Sequence, residues 1–93
     1  MRVQQLHCVV SGRVQGVAFR NFVKEIAIEM ELHGFVANLP DGSLEVLVQG
    51  KYEVLKVFLE HLARGPDGAL VTGLYDEWER DPEQLYEDFQ ILP

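Results

Sequence analysis

The chain changes its hydrophobic period across residues 12–20, Gly-Arg-Val-Gln-Gly-Val-Ala-Phe-Arg, and that change demands a strand, a tight loop and a helix in succession. Before it, Val3 to Val10 reads as a strand, with Leu6, Cys8 and Val10 alternating with His7 and Val9 so that both faces carry apolar groups. After it, Phe19, Phe22, Val23, Ile26, Ala27 and Met30 recur at spacings of three and four, one apolar helix face. Gly12 and Gly16 tolerate φ > 0 and let the backbone curl tightly between the two elements. A curled loop feeding a helix N-terminus aims several backbone N–H groups at one point, which favours an anion. Arg20 stands where the helix begins, and its planar guanidinium can grip a phosphate through two parallel hydrogen bonds. The residues alone therefore predict a small phosphate-binding site on a strand–loop–helix unit.

The rest of the chain supplies partners for that unit. Gly34-Phe-Val-Ala-Asn-Leu39 reads as a short strand, Pro40-Asp41-Gly42 as a turn, and Leu44, Val46 and Val48 as a third strand, so residues 34–49 form a hairpin. Gly50 opens a second helical stretch whose inner face is Leu55, Phe58, Leu59 and Leu62, and Arg64-Gly65-Pro66 ends it. Ala69 to Trp78 reads as a longer strand in which Gly73 marks a bulge or bend. Asp81-Pro82 breaks that strand, and Leu85 to Leu92 holds a short final one. The order β-α-β-β-α-β with one added strand is the split βαβ, ferredoxin-like α+β arrangement: two helices on one face of an antiparallel sheet, the other face partly solvated.

Ninety-three residues are expected to form one domain, residues 1–93. Hydrophobic content of 47% and charged content of 25% are those of an ordinary globular chain. No apolar run approaches the roughly 20 residues of a membrane span, and Gln4, Gln5 and His7 interrupt any leader-like run at the N-terminus, so the cytoplasm is the expected location. Cys8 is the single cysteine; it forms no internal disulfide and reads as a small hydrophobe on the first strand. The net charge of −7 opposes general nucleic-acid binding. Its distribution is uneven: residues 1–24 hold Arg2, Arg13, Arg20 and Lys24 and no acidic group, whereas the remainder holds all 15 acidic residues. Positive potential thus lies on the segment assigned to the anion.

Taken together, Gly12-Arg-Val-Gln-Gly-Val-Ala-Phe-Arg20, Gly34-Phe-Val-Ala-Asn38, Asp41-Gly42, Gly65-Pro66 with Ala69 and Val71, Glu77-Trp78-Glu79 and Phe89-Gln90-Ile91 resemble the acylphosphatase family over nearly the whole chain. The glycine loop followed, 18 positions beyond Arg20, by Asn38 is the specific pair. The resemblance implies hydrolysis of the mixed anhydride between a carboxylic acid and phosphate, without metal or other cofactor. It implies that Arg20 clamps the phosphoryl group, that the backbone amides of Gln15, Gly16, Val17, Ala18 and Phe19 cradle its oxygens, and that Asn38 orients the attacking water. Gly12 and Gly16 shape the loop. The implied partner is a small acyl phosphate of the acetyl, carbamoyl or glyceroyl class, acted on by a monomer. Three positions depart from the family pattern. Phe35 stands where tryptophan or another aromatic is common, Ala37 where a longer or basic residue is frequent, and Glu31 where a glycine often ends the first helix.

Each site residue also has a plainer reading. Asn38 alone would be a strand-end asparagine ahead of Pro40-Asp41-Gly42, and Arg20 alone a helix-surface arginine. Arg13 and Gln15 are expected to point outward with only their backbone used, and Phe19 to join the core. His7, His33 and His61 lack metal-ligand spacing, and the acidic residues from Asp76 to Asp88 suit a solvated face. An anion-binding module without turnover is the competing function, since related domains open larger carbamoyl-transferring maturation factors; a free-standing chain of this length favours the enzyme. An RNA-binding domain of the same topology would require a basic, aromatic strand motif that Gly34-Phe-Val-Ala-Asn does not match.

Overall fold

A computed structural model describes residues 3–16 and 18–93. Seven elements follow one another: β1 (Gln4–Arg13), α1 (Phe19–Glu29), β2 (His33–Asn38), β3 (Leu44–Gly50), α2 (Tyr52–Arg64), β4 (Leu70–Arg80) and β5 (Phe89–Ile91). They build one five-stranded sheet in the order β4-β1-β3-β2-β5. The expected elements are all present, as is the ferredoxin-like packing of two helices against a sheet.

The core lies between the helices and one sheet face. Leu6, Cys8 and Val10 of β1, Val36 of β2 and Leu44, Val46 and Val48 of β3 are buried, together with Phe19, Val23 and Ala27 of α1 and Leu55, Phe58 and Leu62 of α2. These are the alternate strand positions and the i, i+3, i+4 helix positions that the two periods single out. Burial pushes the Cys8 thiol up to about 12, with the Asp76 charge adding to the effect, so the thiolate is suppressed at neutral pH.

The sheet is mixed, not antiparallel throughout. β1, β3, β2 and β4 pair antiparallel, but β5 runs parallel to β2, matching Gly34 with Phe89 and Val36 with Ile91. The cause is the crossing from one sheet edge to the other by the residues after β4. Gln49, 5% exposed on the face away from the helices, donates from Nε2 to Gln5 Oε1 (2.8 Å) and to the Gln84 carbonyl (2.7 Å), and its Oε1 accepts from Tyr86 N–H (2.9 Å). The Tyr86 ring meets Phe35 edge-on at 5.9 Å. The chain so guided reaches β2 beside the start of that strand and must run the same way along it. On the same open face, His7 Nε2 and Glu45 Oε2 lie 2.8 Å apart.

The end of β1 lies further along the chain than its apolar alternation predicts. β1 continues to Arg13 because β4 offers it partners as far as Leu70. Gly12, expected in the loop, therefore sits in the strand at a register shift, where β4 carries one extra residue between Val71 and Gly73. Its φ is 123°, and a Cβ there would run into the Leu70 carbonyl oxygen and lie 2.8 Å from Thr72 N. Gly73 is next to the bulge, as expected.

Helix α1 ends with Glu31 at φ 58°. Its N–H donates to the Ile28 carbonyl (3.0 Å) and that of Leu32 to the Ala27 carbonyl (2.8 Å), the paired bonds of a Schellman cap. That conformation suits glycine, and a side chain strains it by about 1 kcal/mol. Glu31→Gly is therefore expected to raise unfolding stability by about 1 kcal/mol, measured by urea denaturation; an unchanged or lowered midpoint would contradict the cap argument. No helix among the described residues is long and apolar enough to cross a membrane.

Candidate active site

The loop between β1 and α1 is fixed at both ends by the core. Val14 and Phe19 are each 1% exposed, and Phe19 meets Phe22 edge-on at 5.7 Å. Among the described residues between them, the backbone is left-handed at Gly16 (φ 74°) and at Ala18 (φ 59°). Glycine adopts this at no steric cost, but Ala18 holds about 1–2 kcal/mol of strain. Ala18 is also the N-cap of α1 and offers no side-chain hydrogen bond, and no acidic residue occupies the first turn. The first N–H groups of α1 are thus left for an outside acceptor, and the positive end of the helix dipole is uncompensated.

A cavity of about 130 Å³ opens over this loop, lined by Val14, Gln15, Gly16, Ala18, Phe19, Arg20, Asn21, Asn38 and Ile91. The expected pair, Arg20 from α1 and Asn38 from β2, shares it, and so do the expected loop residues Gln15, Gly16, Ala18 and Phe19. Val17 lies outside the described residues. Gly12 does not line it. Asn21 and Ile91 line it without having been anticipated: Asn21 carries no motif signal, and Ile91 arrives only through the parallel pairing of β5.

Arg20 is half-buried and anchored from the far end of the chain, its Nη1 donating to the Leu92 carbonyl (3.2 Å), while Leu92 N–H donates to the Val36 carbonyl (2.8 Å). One edge of the guanidinium is thereby held and its other donors remain for an anion. Asn38 closes β2 opposite Leu44, and its Oδ1 is buried with no hydrogen-bond partner among the described residues. An unpaired buried acceptor of this kind costs about 1–3 kcal/mol, a penalty found where function requires it. The turn beyond is rigid: Asp41 Oδ1 accepts from the Ser43 N–H (2.9 Å) and from its hydroxyl, which holds the Asp41 carboxyl below the usual carboxylate range.

The Gln15 side chain does not point outward, as expected, but inward. Its Nε2 donates to the carbonyls of Leu39 (3.0 Å) and Ser43 (2.9 Å) across that same turn. The Leu39 and Ser43 carbonyls each accept one N–H within the hairpin turn and keep a second lone pair, which the Gln15 amide fills. Arg13 is exposed, as expected.

Among the described residues, the cavity lining contains no Asp, Glu, His, Cys or Lys, and no three such ligand residues (His, Cys, Asp or Glu) are grouped as a metal site would need. The arrangement offers a guanidinium, a helix N-terminus and the carboxamides of Gln15, Asn21 and Asn38. It can bind a tetrahedral anion and orient a water beside it.

The sequence model of the acylphosphatase family matches residues 6–91. The chain belongs to the acylphosphatase family. Curated acylphosphatases are similar at matching length. That of Thermus thermophilus is 45% identical over 74 residues, covering 80% of this chain and 84% of its own. That of Nitrosococcus oceani is 43% identical over 83 residues, covering 88% and 93%. The crystal structure of the Bacillus subtilis acylphosphatase superposes with a TM-score of 0.92 at 36% identity, over 97% of this chain and 99% of that one.

Proposed function

We infer that this chain is an acylphosphatase, hydrolysing the carboxyl–phosphate bond of small acyl phosphates to a carboxylate and inorganic phosphate. The observation that supports the residue assignment is the meeting of Arg20 and Asn38 over one loop cavity whose lining, among the described residues, holds no Asp, Glu, His, Cys or Lys. Arg20 clamps the phosphoryl oxygens, the amides of Gln15, Gly16, Ala18 and Phe19 cradle them, Gly16 (with Gly12 behind it in β1) shapes the backbone, and Asn38 orients the water.

The chemistry suits such a site. A carboxylate is a good leaving group and needs little acid assistance. The transition state for phosphoryl transfer is loose, with charge on the equatorial oxygens, so fixed donors and one guanidinium supply most of the stabilisation. A carboxamide does not take a proton near neutrality; in this reading a phosphate oxygen of the substrate receives it. The cavity of about 130 Å³ suits a phosphoryl group with its acyl chain at the mouth, which supports acetyl-, carbamoyl- or glyceroyl-type substrates. The enzyme acts as a single domain, a monomer of the cytoplasm, with no metal or cofactor.

A chromogenic aryl acyl phosphate is expected to be hydrolysed at full rate in the presence of EDTA. A folded protein that binds inorganic phosphate without turnover would instead make it an anion-binding module, and loss of turnover in EDTA would overturn the metal-free reading.

A further inference from the structure

We propose that the Gln15 side chain is a positioning residue, setting the distance between the anion loop and Asn38 and hence the line along which water meets phosphorus. The proposal rests on the reading of Asn38 as the residue that holds that water. Gln15 Nε2 commits both of its hydrogens, one to the Leu39 carbonyl (3.0 Å) and one to that of Ser43 (2.9 Å). These carbonyls are the two ends of one tight turn, in which Leu39 N–H donates to Ser43 O (2.8 Å) and Gly42 N–H to Leu39 O (3.1 Å). Leu39 directly follows Asn38. A single planar amide therefore ties a residue of the loop to the strand end that carries the carboxamide, 24 residues away.

Among the described residues, no other hydrogen bond of the loop does this. Val14 and Phe19 seat the two ends of the loop in the core, and Asn38 is held by its register with Leu44. Those anchors fix each partner to the fold, but only through apolar packing do they refer one to the other, and such packing has no preferred direction. Hydrogen bonds at 2.9–3.0 Å do. Loss of the Gln15 donors should leave the phosphate cradle seated and displace the water, because the cradle has its own anchors.

Gln15→Met keeps the length and removes the donors; Gln15→Glu keeps the shape and sets a carboxylate against two carbonyl oxygens. Both are measured for kcat and KM on an aryl acyl phosphate, for competitive inhibition by inorganic phosphate, and for urea unfolding. The expected result for Gln15→Met is kcat lowered about 10²-fold, the effect of a misplacement near 1 Å, with phosphate inhibition changed less than about threefold. Added to Asn38→Ala, it should lower kcat by less than about twofold more, because both variants remove one function. A folded Gln15→Met with near-native kcat overturns the proposal. So does phosphate affinity falling in step with kcat, and so do losses that multiply in the double variant. Gln15→Glu carries the same readouts if Gln15→Met does not fold. Full activity in Asn38→Ala would sink the water-holding reading itself, and this proposal with it; a slow Asn38→Ala beside a fast Gln15→Met sinks this proposal alone.

Discussion

Arg20→Ala lowers kcat/KM for an aryl acyl phosphate by about 10³-fold or more, the range expected when a cation facing a transferring phosphoryl group is removed. The site leaves no understudy. Among the described residues, Arg20 is the only charged side chain that lines the cavity. What remains after its loss is a curl of amides and a helix N-terminus, enough to attract an anion but short of the charge that spreads over three oxygens in the transition state. Competitive inhibition by inorganic phosphate should weaken along with turnover, since the same fork meets product and substrate. Arg20→Lys restores the charge but not the planar pair of donors, and it should recover less than about a tenth of the activity. Circular dichroism should show a folded protein, because the variant forgoes a single hydrogen bond from a charged donor to the Leu92 carbonyl, about 1.5–3 kcal/mol. Retention of more than a tenth of native kcat/KM in folded Arg20→Ala would remove Arg20 from the mechanism.

Asn38→Ala produces a different pattern. Here kcat should fall by about 10²–10³-fold while KM and phosphate inhibition change little, because the carboxamide meets water and not the anion. Its replacement by alanine also relieves the unpaired Oδ1, so the variant is expected to be at least as stable as the native protein by thermal unfolding. Loss of activity with gain of stability is the signature of a residue kept for chemistry. The pH profile of kcat in the native enzyme should show no essential enzyme base titrating near neutrality, since the lining contains none among the described residues. Equal losses in kcat and in phosphate affinity would make Asn38 an anion ligand instead.

Much of this was legible from residue patterns, and the limits have identifiable causes. The alternation of Leu6, Cys8 and Val10 and the stripe from Phe19 to Met30 are local, and both appear as core. Glu31 could be singled out only through the family resemblance, as standing where a glycine often ends the helix, and its φ of 58° gives the physical reason. The direction of β5 was not, because three residues carry no direction of their own; it depends on Gln49 gathering Gln84 and Tyr86 across the open sheet face. The continuation of β1 through Gly12 depends on β4, almost sixty residues later. Arg20 and Asn38 could be paired through family resemblance, but the inward turn of Gln15 could not, since its acceptors lie 24 and 28 residues away and are backbone atoms with no sequence signal. Composition and period report what a residue prefers; they do not report which carbonyl it will find.

The Arg20–Leu92 hydrogen bond spans 72 residues, and the cavity wall includes Ile91 beside Val14 and Asn38. A pocket assembled from such distant stretches has no half-built form. Closing so long a loop is repaid only when β2 and β5 are both seated, so helices and the central hairpin can be in place while the substrate still has nowhere to bind. Frayed β5, with the rest of the molecule intact, would leave the arginine without its rest and the chain without turnover. Catalysis here is a stringent reporter of completed folding, more demanding than any spectroscopic signal from the bulk of the chain.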